Sequence, residues 1–265
     1  MRRRLTVTAS IVAVVALTIG LGAGTDAAAA RDRHHRPAPA PVTVCASAPT
    51  AIPTPTETPA PQPAPGFRED FATPAPAGKV DTTYADSWQP YPDGTGGRYY
   101  SDEVINVHDG VLDVTLDGKR GAAGTFGTPD DAWSHIGGTF TVRAKATGGD
   151  GNGAAFMLWP SSNVWADGEL DYPEGNFDDA PSAFHHSMTP GQEATAQHLA
   201  TGVDWRDWHT YSETWNPGES VTYTVDGRTI GTVTHDVPTT EHRYMFQVGD
   251  WGQPGHLLID WVETP

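Results

Sequence analysis

Three carboxylates fall within six residues in the run Gly168-Glu169-Leu170-Asp171-Tyr172-Pro173-Glu174-Gly175. Side chains alternate along a β-strand, so Glu169 and Asp171 share a face, while regular alternation sends Glu174 to the other. One extra residue at Tyr172-Pro173, a β-bulge, returns Glu174 to the face of the other two. Proline is tolerated in strands mainly at edges and bulges, where its missing N–H breaks no ladder bond. The sequence therefore predicts a bulged strand presenting three acids from one surface. Two carboxylates with a polar partner are what retaining glycoside hydrolysis requires, one attacking the anomeric carbon and the other protonating the leaving oxygen. Spacing alone leaves two further readings open, a solvated acidic strand and a calcium site.

A strand of this kind needs neighbours to hold it. Val111 to Leu116, Thr139 to Lys145 and Val221 to Val225 are short, β-rich runs. They are bounded by turn pairs at Asp109-Gly110, Asp117-Gly118, Gly137-Gly138, Gly148-Gly149 and Asp226-Gly227. Val225-Asp226-Gly227-Arg228 reads as a hairpin turn between two strands. The nearest candidate for a helix is the short stretch from Gln192 to Leu199. The pattern is all-β, with regularly spaced strands that point to a sandwich of two antiparallel sheets.

The 265 residues carry a formal net charge of −17. The start reads as a signal peptide over 1–30: Met1-Arg2-Arg3-Arg4, an apolar run from Ile11 to Leu21, then Ala28-Ala29-Ala30. That apolar run is short for a bilayer span, so the expectation is export with no membrane attachment after cleavage. Residues 31–66 are rich in Pro, Ala and Thr, cannot bury a core, and are expected to form a disordered linker. The single cysteine, Cys45, falls in this linker, so the fold must stand without an internal disulfide. Residues 67–265 are long enough for one domain with a sizeable core and contain all nine tryptophans. With six Lys/Arg and three Asp/Glu lying before residue 67, this domain keeps 10 and 30, a net charge of −20. So acidic a surface argues against nucleic acid, anionic membrane and anionic polysaccharide, and in favour of a neutral glycan.

The run Trp165-Ala166-Asp167-Gly168-Glu169-Leu170-Asp171-Tyr172-Pro173-Glu174 resembles the Glu-x-Asp-x-x-Glu signature of glycoside hydrolase family 16. That is the family of bacterial laminarinases, lichenases and agarases, built on a concanavalin-like β-jelly roll with a concave substrate cleft. The resemblance extends over roughly 67–265. It takes in Gly138 to Lys145, Gly153 to Pro160, Trp208 to Pro217 and the closing run Leu258-Ile259-Asp260-Trp261-Val262. Tyr172-Pro173 departs from it, standing where two apolar residues are more usual.

The resemblance implies that Glu169 is the nucleophile, Glu174 the general acid/base, and Asp171 the residue between them that tunes the nucleophile. Glu174 then needs its proton when the glycan binds, whereas Glu169 must stay ionised. A retaining pair needs carboxyls roughly 5–5.5 Å apart. Four effective strand steps span about 13 Å at Cα, so curvature and side-chain lean must close the gap. Trp165 and Trp159 match family tryptophans that line the sugar site, and sugars stack on such rings through their C–H edges. Trp133 and Trp251, in Gly- and Asp-rich loops, are further candidates, as is Gln247 for a sugar hydroxyl. Trp205, Trp208, Trp215 and Trp261 are expected in the core or on the convex face. Of His185 and His186, alternation puts one toward the cleft and leaves open which. Adjacent strand residues point opposite ways, so the pair does not form a zinc site, and no catalytic metal is expected. Asp260 matches a position that holds a structural calcium in some family members.

These readings converge on a secreted, monomeric endo-glycosidase that cleaves a neutral β-glucan, β-1,3 or mixed-linkage, with retention. A non-catalytic glycan-binding module, a transglycosylase and a galactanase remain the alternatives.

Overall fold

Strands that alternate apolar and polar residues can bury one face only by stacking two sheets, and the chain does this. The computed structural model describes residues 66–265. The expected signal peptide, nearly all of the expected linker, and Cys45 lie outside the described residues. In chain order the elements are β1 (Phe67–Glu69), α1 (Val80–Thr83), β2 (Trp88–Pro90), α2 (Ser101–Val104), β3 (Ile105–His108), β4 (Val111–Leu116) and β5 (Ala122–Phe126). There follow β6 (Gly138–Gly148), β7 (Gly153–Pro160), β8 (Leu170–Asn176), β9 (Ser182–His186) and β10 (Ala196–Ala200). The chain closes with β11 (His209–Asn216), β12 (Ser220–Val225), β13 (Arg228–Val233), β14 (His242–Val248) and β15 (Gly255–Thr264).

Two antiparallel sheets result. The back sheet runs β13-β12-β11-β6-β15-β4-β3, with β1 also on β15, and the front sheet runs β10-β9-β8-β7-β14-β5-β2. This is the all-β jelly-roll sandwich expected from the sequence. Runs of consecutive strands, β11 to β13, β3-β4 and β7 to β10, are joined by strands distant in sequence, as in a β14 that lies between β5 and β7. Turn chemistry is local: Asp109-Gly110 and Asp226-Gly227 each place two successive residues at positive φ, the geometry that keeps a two-residue hairpin in step with strand twist.

The core lies between the sheets. Phe140, Val142, Ala144 and Ala146 of β6 face Phe156, Leu158, Tyr244 and Phe246 of the front sheet, and all are buried. Trp205 and Trp215 are fully buried in this layer, whereas Trp208 and Trp261 sit half-buried outside the back sheet. β7, like β5 and β14, is buried on both faces. Ala154, Phe156 and Leu158 point to the core, while Met157 and Trp159 point the other way and are covered too. The front sheet therefore carries a second, smaller apolar cluster on its outer face, where Met157, Trp159 and Met245 pack with Tyr91, Ala155 and Trp165. The helix candidate from Gln192 to Leu199 is not a helix. It is a turn leading into β10, because pairing with β9 satisfies its backbone and packs Leu199 against the core.

Candidate active site

Strand β8 carries the three acids, and its pairing shows how they share a face. Against β7, Asp171 pairs with Met157 and Glu174 with Ala155, so three steps on β8 match two on β7. Against β9, Asp171 pairs with Phe184 and Glu174 with Ser182, the same excess of one. The extra residue falls at Tyr172-Pro173. The Tyr172 ring turns into the core, where its hydroxyl donates to the Thr224 carbonyl at 2.8 Å. Asp171 and Glu174 both emerge on the front face, in register with the outward residues of the neighbouring strands. One row across this face reads Gln89, Thr125, Met245, Met157, Asp171, Phe184, His198.

Glu169 lies one residue before β8, and its carbonyl accepts from the His186 N–H at 3.1 Å. Its position is fixed from below. Gly168 has a positive φ, and a Cβ there would run into Pro238, so only glycine fits. The buried imidazole of His242 bridges the Gly168 and Thr240 carbonyls, at 3.0 and 2.9 Å. Nothing in the sequence around His242 marks this contact, which spans 74 residues.

The carboxyl cluster is short of countercharge. His186 is the basic group beside it, with Nε2 3.1 Å from Asp171 and 4.0 Å from Glu169. Its Nδ1 lies 2.7 Å from the Glu193 carbonyl, which can only accept, so Nδ1 carries a proton and Nε2 is left to the acids. Burial raises all three carboxyls. Glu174 is pushed up to about 7, with His186 pulling the other way. Burial and then the Glu174 charge hold Asp171 well above the usual range. Burial and then the Asp171 charge do the same for Glu169, opposed by His186 and by the Trp165 N–H. Close acids titrate as a unit, so near neutral pH the cluster keeps protons instead of three full charges.

Glu169, Asp171 and His186 offer ligand atoms all within 4.8 Å of one another, the one such trio found among the described residues. That spacing fits a hard cation as well as it fits shared protons.

The other sequence candidates divide. His186 faces the acids, whereas His185 is turned into the core. There its ring meets the Tyr223 hydroxyl and the His235 and Asp236 carbonyls, so it has no access to the front face. Strand alternation forces this split, and the apolar layer takes the histidine whose ring is fully bonded. Trp165 stands 5.9 Å from the His186 ring, centroid to centroid. Trp159 is on the front face but largely covered, with Nε1 donating to Asn163 Oδ1 at 3.2 Å. Trp133 is exposed and stacks on the Arg243 guanidinium. Gln247 is on the front face and accepts from the Tyr99 hydroxyl at 2.9 Å. Trp251 is exposed and lies over Gly249, in the loop after β14. Asp260 is engaged in an ion pair with Arg143 on the back sheet, and that pair gives its carboxylate a partner other than calcium. Tyr91, Tyr99, Met157, Met245 and Arg243 also line the front face, and the sequence reading did not single them out.

Comparison with known proteins decides the family. The model for glycosyl hydrolases family 16 matches residues 97–261, more than half of the chain and all three acids. The chain belongs to glycosyl hydrolase family 16. It is therefore a glycosidase, of a family whose catalysis uses no cofactor.

Solved structures share the fold at low identity. The laminarinase of Rhodothermus marinus is 18% identical, with a TM-score of 0.58 over 75% of this chain and 95% of that one. A protein of Zobellia galactanivorans, solved in complex with laminaritriose and laminaritetraose, is 18% identical, with a TM-score of 0.56 over 76% and 98%. A structure from work on endo-acting O-glycanases of the human gut microbiota is 15% identical, with a TM-score of 0.60 over 76% and 98%. No curated protein sequence matches the chain significantly.

Proposed function

We propose that this glycosidase is a secreted endo-β-glucanase that cleaves β-1,3 or mixed-linkage glucan with retention of configuration. The observation that carries the reading is the one-residue bulge in β8, which aligns Glu169, Asp171 and Glu174 on the front face beside Trp165. Glu174, pushed up to about 7, still holds a proton in mildly acidic solution, as a general acid must. It donates that proton to the glycosidic oxygen while a Glu169 oxygen bonds to the anomeric carbon and the leaving sugar departs. Glu174, now ionised, takes a proton from water, whose oxygen displaces Glu169 and frees the product. Burial and then the Glu174 charge favour the protonated form of Asp171, which keeps a second negative charge away from Glu169 while it receives the positive charge developing on the sugar.

A domain net charge of −20 favours a neutral chain, and the stacking surfaces at Trp165 and Trp133 suit one. The basic start and apolar run of residues 1–30 support export, and the Pro-rich 31–66 supports a tether. The test is reducing-sugar release from laminarin, lichenan and agarose by the wild type and by Glu169→Gln. Release from laminarin or lichenan that the substitution abolishes is the expected result. Release from agarose alone would move the substrate to a galactan, and no release from folded protein would overturn catalysis.

A further inference from the structure

Arg243 is a buried cation without a carboxylate. It sits on β14 directly across from Trp159 of β7, on the front face, and is only 2% exposed. None of the arginine ion pairs among the described residues includes it, although the domain holds thirty acids. Burying an unpaired charge is expensive, so the position is not explained by charge balance. Its bonds all go to neutral groups. Nη1 donates to the Pro160 carbonyl at 3.2 Å, and Nη2 to Asn163 Oδ1 at 2.9 Å and the Tyr91 hydroxyl at 3.4 Å. Its guanidinium lies 4.5 Å from the centre of the Trp133 ring, and Nε has no partner. Asn163 Oδ1 also accepts from Trp159 Nε1 at 3.2 Å. One guanidinium thus ties together aromatic side chains from three separate segments, Tyr91, Trp133 and Trp159. No other side chain has the planar fork and the stacking face that this needs.

The consequence lies in what stays exposed. Trp133 is 39% exposed, on a loop, with one face of its ring taken by the guanidinium. A tryptophan held from one side offers the other face to a sugar without losing further side-chain freedom when it binds. We propose that Arg243, through Asn163 and Trp133, is a positioning residue for a subsite that takes a neutral hexose of the chain to one side of the scissile bond, on the row that runs from Arg243 through Trp159 toward Glu169. It sets a preference for long glycans and takes no part in bond cleavage. The proposal rests on reading the front face as the glycan cleft.

The experiment compares wild type, Arg243→Lys, Asn163→Gly, Trp133→Ala and the Arg243→Lys/Trp133→Ala double variant on laminarin and on laminari-oligosaccharides of increasing length. Asn163 has a positive φ, so glycine keeps the backbone while removing the link, and this variant still reports if Arg243→Lys fails to fold. The expected result is a KM for laminarin raised about three- to tenfold in each single variant, with kcat within about twofold. The shortest cleaved oligosaccharides keep their wild-type kcat/KM, and the double variant is no worse than Trp133→Ala. Additive losses in the double variant, a fall in kcat at constant KM, or equal losses on short and long substrates would each overturn the proposal. A wild type that leaves every laminari-glycan uncut would instead overturn the proposed function, and the two failures are distinct.

Discussion

The two outer faces of the sandwich handle charge and tryptophan in opposite ways. On the back sheet, Arg143 pairs with Asp260 and lies 4.9 Å from the centre of the Trp208 ring, with Lys145 at 5.0 Å from the same ring. Arg68 pairs with Glu263 and covers Trp261 at 4.3 Å. Hydroxyls between these groups bond to each other across strands, Thr139 with Thr214 at 3.0 Å and Thr141 to Ser212 at 2.9 Å. On the front sheet three acids crowd one histidine, Arg243 has no acid, and Asp171 Oδ1 is buried without a partner. Exposed, paired charges contribute little and cost little. Buried, underpaired ones cost stability, and a fold keeps them where chemistry needs shifted protons. The difference between the faces locates the site without reference to the motif.

The comparison breaks first at the acids. Glu169→Gln and Glu174→Gln should each lower kcat on laminarin by about 10²–10⁴-fold or more, with folding retained. Aryl glycosides with a good leaving group separate the two roles, because their departure needs no proton. Glu174→Gln should keep the release of the aryl alcohol in a single turnover, and Glu169→Gln should lose it. Equal loss for both variants on the aryl substrate would remove the assignment of acid and nucleophile.

The pH profile comes next in size. With Glu174 at about 7, kcat/KM of the free enzyme should fall on the alkaline side with a midpoint near neutrality, since the general acid loses its proton there. His186 lowers Glu174, so His186→Gln should move that midpoint to higher pH and widen the active range upward. A midpoint that stays put, or moves to lower pH, would show that His186 does not share the cluster's charge.

How much of this was legible in the chain follows the range of each interaction. The bulge was legible because Pro173 and three acids sit within one short run, and the hairpins because Asp-Gly pairs announce positive φ locally. Which histidine faces the acids was not, since alternation fixes only that the two differ, and the start of the count depends on how β9 pairs with β8. Tyr91, Tyr99 and Arg243 were invisible because β14 meets residues about 150 positions away through the Tyr91 and Tyr99 contacts. β10 was misread as a helix candidate because an edge strand with few β-branched residues carries no period-two signal of its own.

A smaller effect tests the layer between the faces. Glu213 of β11 is buried with neither carboxyl oxygen bonded, and burial followed by the Asp171 charge raises it well above 4.5. Its folded pKa exceeds its unfolded one, so its contribution is fully present below about pH 4.5 and is lost as pH rises toward the folded value. Melting temperature should therefore decline from pH 5 to 8, and Glu213→Gln should flatten that decline even if it lowers stability at pH 5. Parallel declines in the two proteins would mean that Glu213 ionises without penalty.

The smallest effect expected is on the back sheet, and it is the control for the whole contrast. Asp260→Asn and Trp208→Ala remove an ion pair and a cation–ring contact from a half-exposed surface, where each is worth about 0.5–1 kcal/mol before screening by salt. Both variants should keep kcat and KM on laminarin within about twofold, and Asp260→Asn should lose its small stability difference in high salt. If instead Asp260→Asn unfolds the domain, or if either variant reduces activity tenfold, the back face is not the inert partner drawn above. Charge there would then be coupled through the core to Glu213 and Asp171, and the acids of the front sheet would owe their protonation to the whole sandwich.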